Sequence, residues 1–195
     1  MGRLELRDRA CFLGLATIVS GLLTIGAAML ANPWFDVWEG ALSDMGKVNL
    51  PTAWIFNAGL IITSLVGAGF TYCLVQTFRD TYMLVAAGIY LTSMAHLALI
   101  GLFPEGTAPH WTLSYEYFLM MYVTFFVYGF GFFLIGLRGH GVAAFSIGVL
   151  GLLLSAIISW PSTAVLELFN VAVIGGWYLV VTHAVSRSDF LREKP

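Results

Sequence analysis

The chain has 195 residues, of which 59% are hydrophobic and only 10% are charged. Soluble domains carry near 25% charged residues, so this composition, with a mean hydropathy of +0.86, excludes a water-soluble globular domain and a disordered tail. Nine basic against eleven acidic side chains give a net charge of −2 and no basic footprint for a nucleic-acid partner.

A bilayer core is crossed by roughly 20 apolar residues of helix. Six stretches reach or approach that length: Ala10 to Ala31, Pro51 to Gln76, Tyr82 to Phe103, Leu113 to Leu137, Val142 to Trp160, and Ala164 to Val185. The expected fold is all-α, a polytopic six-transmembrane-helix bundle forming a single domain over residues 1–195. Arg and Lys orient it, because cytoplasmic connections collect them. Arg3, Arg7, Arg9, Arg79, Arg138, Arg187, Arg192 and Lys194 fall on one side and only Lys47 on the other. Both termini are therefore expected in the cytoplasm, with the plasma membrane as the location. The first span is too long for the apolar core of a cleaved signal peptide.

Along the chain, the first span carries Gly14, Thr17, Gly21, Thr24 and Ala28 as one small-residue stripe. Lipid removes the hydrophobic drive between helices, so such stripes allow close approach. Gly59, Thr63 and Gly67 repeat the pattern in the second span, and Ala144, Gly148, Gly151, Ser155 and Ser159 in the fifth. Cys11 and Cys73 sit near the cytoplasmic ends of their spans and are expected as free thiols. Trp34, Trp38, Trp54, Trp111 and Trp160 map to the outer boundary as an aromatic belt.

The first outer connection, Asn32 to Leu50, is the longest. Asn32 followed by Pro33 reads as an N-cap with a first-turn proline. Trp34, Trp38, Ala41 and Met45 then recur at helical spacing and Gly46 is a natural stop, which predicts a short amphipathic helix lying in the interface. Asp44 would sit in the last turn of that helix, where the dipole disfavours an anion. It is expected to find a cation, a metal or a hydrogen-bond donor.

Polar residues inside spans are functional suspects. Asn57 lies six residues inside the second span, roughly 9 Å deep at ~1.5 Å per residue. His96 in the third span and Asn170 in the sixth lie at similar depth, and Glu116 and Glu167 are one turn shallower. These five form one predicted layer beneath a lid carrying Asp44, Glu105 and His110. Each also has a plainer reading. Glu116 and Glu167 follow Thr112 and Thr163 by four residues, as acids suited to a helix N-terminus. Asn57, Asn170 and His96 suit interhelical hydrogen bonds, His110 suits a solvated loop, and His140 and His183 suit the surface.

Such a layer fits more than one chemistry. Asp44, His96, His110 and one glutamate are ligand types for a divalent metal such as zinc, although no HExxH or close His pair supports it. Without metal, His96 and a nearby carboxylate suit a base with its orienting acid, and Ser43 or Ser93 a nucleophile. Catalysis is thus assigned to Asp44, His96 and Ser43, and ligand contact to Asn57, Glu105, His110, Glu116, Glu167 and Asn170. The histidines do not form the same-depth facing pairs that bis-His haem needs.

Leu42-Ser43-Asp44-Met45-Gly46, Phe56-Asn57-Ala58-Gly59-Leu60, and Gly101-Leu102-Phe103-Pro104-Glu105 followed by His110 resemble the DUF998 family of integral membrane proteins. The likeness lies mainly in the first four spans. It implies a six-helix bundle and adds weight to Ser43, Asp44, Asn57, Glu105 and His110 as a group, without supplying a reaction. The chain lacks the paired histidines in a late span that mark membrane metallohydrolases of similar style. The leading expectation is an outward-facing, partly intramembrane polar pocket that binds an amphiphilic or lipid-like ligand, with hydrolysis of that ligand left open. The rivals are a non-catalytic subunit partnered by another membrane protein or by its own copies, and a small transporter. The near-absence of polar groups in the cytoplasmic half weighs against the transporter.

Overall fold

The computed structural model describes residues 3–187. Six helices follow one another: α1 (Arg3–Ala31), α2 (Ala53–Thr77), α3 (Thr81–Leu102), α4 (His110–Leu134), α5 (Arg138–Ile157) and α6 (Thr163–Ser186). All six are long and apolar enough to cross a membrane, and the described residues contain no strand. The chain is a membrane-embedded helical bundle with six spans. Helices suit this setting because each satisfies its own backbone polar groups where no water is at hand. Arg192 and Lys194 of the sequence argument lie outside the described residues.

Each helix packs on the next, and α6 returns to α1, so the bundle is a closed ring. The local sequence explains the corners. Asp80 caps α3 by accepting from the Tyr82 amide at 3.0 Å, and Ser162 caps α6 by accepting from Val165 at 3.1 Å. Gly136 ends α4 at φ +85°, and the Leu137 amide reaches back to the Phe132 carbonyl at 2.8 Å, closing a Schellman turn.

The small-residue stripes lie where helices touch. Gly59 faces Thr24 so closely that any Cβ there would overlap it, and the Ser20 and Thr63 hydroxyls meet at 2.8 Å between α1 and α2. A Cβ on Gly151 would come to 2.7 Å from Val173 of α6 and 3.1 Å from the Tyr122 hydroxyl of α4. We call the half of the ring nearer the chain ends proximal and the other distal. The proximal half is filled by Phe70, Tyr90, Phe125, Tyr128, Phe132 and Trp177, all fully buried. The Tyr90 and Tyr178 hydroxyls share a hydrogen bond of 2.6 Å there.

The distal end departs from the sequence expectation. No amphipathic helix runs from Pro33 to Gly46. Asn32 closes α1 instead of opening a helix: its Nδ2 donates to the Ala28 carbonyl at 2.8 Å, and its Oδ1 accepts from Thr52 at 2.7 Å and the Trp34 indole at 3.0 Å. Turns follow, and only Leu42–Gly46 forms a helix, of the 3-10 type. That helix is buried rather than interfacial. Leu42 and Met45 pack with Ile25, Ala28, Phe56 and Ala164 in a cluster of their own.

The cause is a set of clamps. Gly46 approaches α2 so closely that a Cβ would overlap Asn57 and Phe56, and Asn57 Nδ2 donates to the Gly46 carbonyl at 2.8 Å. The Ala164 amide donates to Gly40 at 2.8 Å, tying the loop to α6, and Val48 donates to Glu105 at 2.9 Å, tying it to the α3–α4 connection. That connection passes beside Val48 only because Gly106, at φ +95°, has no side chain. Trp34, Trp38, Trp54 and Trp111 remain exposed around the rim.

Candidate functional site

Two cavities open toward the distal end, the second of them reaching past mid-bundle to Leu15, Tyr178 and Leu179. A chamber of about 530 Å³, lined by both polar and apolar side chains, lies between the 3-10 helix and the distal turns of α4, α5 and α6. A second cavity of about 640 Å³ is apolar and runs down between α1 and α6, past Leu15, Val19 and Leu22 on one wall and Val171, Gly175 and Leu179 on the other. Ser43, Ser114, Phe118 and Glu167 line both, so the two spaces meet at these four residues.

Of the residues expected at the site, six line the chamber: Ser43, Asp44, Glu105, His110, Glu167 and Asn170. Asp44 is not in a last turn. Its Oδ2 accepts from the Ala41 amide at 2.8 Å while its own amide donates back to the Ala41 carbonyl at 3.0 Å, so it starts the 3-10 helix. Glu167 Oε2 accepts from the Leu42 amide at 2.7 Å and fastens the 3-10 helix to α6. Asn170 Oδ1 accepts from the Tyr122 hydroxyl at 2.6 Å and from Ser155 at 3.2 Å. Ser43 is nine-tenths buried as a residue, its hydroxyl has no hydrogen-bond partner among the described residues, and it lies at the junction.

His110 is buried at the start of α4. Its Nδ1 lies 2.9 Å from the Phe103 carbonyl, which can only accept, so Nδ1 carries a proton. In the neutral ring Nε2 is then the basic nitrogen, 3.5 Å from Ser114 Oγ and 3.3 Å from Glu105 Oε2. A proton reaching Nε2 from Ser114 would meet the Glu105 carboxylate at once.

Three expected members lie elsewhere. His96 and Glu116 pair with each other at 3.1 Å across α3 and α4, with His96 Nδ1 on the Thr92 carbonyl at 2.8 Å, and line neither cavity. Glu116 is two residues from Ser114 and from Phe118, about 200° around the helix, so it turns away from the chamber. His96 thus has a carboxylate beside it, as expected, but that partner is Glu116, and the pair stands apart from Asp44 and Ser43. Asn57 faces Gly46 and holds the 3-10 helix without lining either space. No group of three His, Cys, Asp or Glu side chains suited to a metal ion occurs among the described residues. The set of Asp44, His96, His110 and a glutamate is dispersed by the same placement of His96.

Sequence reading passed over Ser114 and Tyr122, and took Ser155 only for packing. A signal was present: His110, Ser114, Phe118 and Tyr122 form a row at intervals of four along one helix face. At the proximal surface His140 and His183 also meet, Nε2 to Nδ1 at 2.9 Å. Both cysteines are free, with Cys11 Sγ directed at the Thr182 carbonyl.

The model of the family described as a protein of unknown function, DUF998, matches residues 15–184. The chain belongs to the DUF998 family. The match runs from α1 well into α6 and so extends past the first four spans, where the motifs around Ser43, Asn57 and Glu105 lie. No curated protein and no solved structure gives a match.

Proposed function

We propose that this DUF998 protein holds an amphiphilic, lipid-like molecule, its polar end in the distal chamber and its tail in the groove between α1 and α6. The observation that carries the reading is the junction of the two cavities at Ser43, Ser114, Phe118 and Glu167. Polar and apolar lining meet there as they do at the boundary between a headgroup and an acyl chain. The aromatic filling of the proximal half favours holding over passage, because a conducting path needs polar lining throughout. The excess of Arg and Lys near the chain ends supports a plasma-membrane orientation with both termini in the cytoplasm.

The test is native mass spectrometry of the protein from a neutral detergent, wild type against Gly175→Leu. A Cβ at Gly175 meets nothing within 4 Å, so leucine enters the groove without displacing the fold. The wild type retains amphiphile adducts and the variant loses them. Equal adducts in both, or none in either, refutes the reading.

Hydrolysis is a second reading, favoured by Ser114 Oγ standing 3.5 Å from the basic nitrogen of His110. Serine, base and carboxylate then act as nucleophile, proton acceptor and stabiliser of the imidazolium. An ester at the junction would be within reach of Ser114. Ser114→Ala abolishes cleavage of a long-chain acyl ester while leaving binding intact; cleavage that persists in the variant removes this reading.

A further inference from the structure

We infer that the headgroup this chamber selects is cationic, an amine-bearing amphiphile rather than a phosphate- or carboxylate-bearing one. The inference rests on the amphiphile reading above and names the chemistry of its polar end.

Three carboxyl side chains line the chamber: Asp44, Glu105 and Glu167. Two of them commit one oxygen to a backbone amide, Asp44 Oδ2 to Ala41 and Glu167 Oε2 to Leu42, while Glu105 Oε2 lies 3.3 Å from His110 Nε2. The second oxygen of each has no partner among the described residues and is left to accept from a ligand. Beside them Ser43, nine-tenths buried as a residue and with its hydroxyl unpartnered among the described residues, marks where that ligand sits. A carboxylate only accepts, so what it asks for is a donor, and a charged donor binds it more strongly than a neutral one.

No Lys or Arg borders the chamber; Lys47, the one basic Lys or Arg of the distal connections, is exposed and lines neither cavity. His110 is the sole basic side chain in the lining, and Glu105 faces it. Helix N-termini attract anions, and those of α4 and α6 open near the chamber. Several of their leading amides are already engaged: His110 N on the Thr107 carbonyl, Ala164 N on Gly40, and Val165 N on the Ser162 hydroxyl. At the mouth, Trp111 and Tyr115 stack with centroids 5.8 Å apart and planes 9° off parallel, and Tyr122 stands deeper. Aromatic faces attract cations and give an anion nothing in return.

The experiment uses three probes with one tail: oleylamine, mono-oleoylglycerol and oleic acid. Each is titrated at equal concentration onto the full chain in a neutral sugar detergent and read by native mass spectrometry. The inference expects oleylamine to be retained roughly tenfold better than oleic acid, the order of effect of one charge-assisted contact, with the glycerol ester between. The amide variants Asp44→Asn and Glu105→Gln keep an acceptor oxygen and remove the charge; combined, they bring the amine down to the level of the glycerol ester. Equal retention of all three probes by the wild type, or preference for oleic acid, overturns the inference. If Gly175→Leu still removes them, the amphiphile reading survives that result. If no probe is retained at all, the amphiphile reading fails and the inference falls with it.

Discussion

The two halves of the bundle are built from the same six helices and packed in opposite ways. The proximal half is closed by aromatic rings, with Trp177 touching Tyr90, Phe125, Tyr128 and Tyr178 at centroid distances of 5.2–5.5 Å. The distal half has only a small apolar cluster around Met45 and Phe56 and holds the chamber, and its polar side chains hold loops in place or face open space. Within lipid, a hollow lined by carboxyls and hydroxyls forfeits packing and requires desolvated polar groups. A ring able to fill one half so completely has no packing reason to leave the other open. On the proposed reading the distal half is the working end and the proximal half its support.

The contrast is broken most severely from the proximal side. Trp177→Ala removes the largest fully buried side chain, and truncations of this kind cost about 3–5 kcal/mol. It is expected to unfold the bundle in detergent at temperatures where the wild type survives, as thermal denaturation reads directly. A loss no larger than that of an exposed site would mean that the proximal half is not the support. Next in size is Gly46→Ala, whose Cβ would overlap Asn57 and Phe56. Overpacking costs about 1–3 kcal/mol, and here it lifts the 3-10 helix from its seat, so limited proteolysis between Asn32 and Leu50 accelerates. The smallest effect belongs to His96→Ala. An interhelical hydrogen bond in a membrane is worth about 0.6 kcal/mol, and His96 lines neither cavity, so amphiphile adducts stay at the wild-type level. Loss of adducts in that variant would place His96 in the working end after all.

Much of this architecture was legible in the sequence because it is one-dimensional. Six apolar stretches of sufficient length give six spans, and glycine stripes give contact faces. Depth is also one-dimensional: counting residues from a span's end put Asn57, His96, Glu116, Glu167 and Asn170 at comparable heights. Height does not give direction. His96 and Glu116 share the height of Glu167 yet meet on another side of α4, and only the row from His110 through Ser114 to Tyr122 says which face of α4 looks inward. The first loop was misread for a related reason. The helical spacing of Trp34, Trp38, Ala41 and Met45 is real, but Asn32 is drawn back onto α1, and Gly40, Gly46 and Gly106 allow backbone approaches that tie the loop down. Tertiary contacts, not local period, decide its shape.

The central claim is that the groove between α1 and α6 receives an apolar tail, and photoaffinity mapping tests it most directly. A single-chain amine carrying a diazirine near the end of its tail is incubated with the protein in a neutral detergent, activated by light, and located by peptide sequencing. The account predicts labelling of groove residues such as Val19, Leu22, Val171 and Leu179, competed away by unlabelled oleylamine and absent in Gly175→Leu. Labelling spread over the outward faces at Val85, Leu91 and Leu153, with neither competition nor sensitivity to the variant, would contradict it.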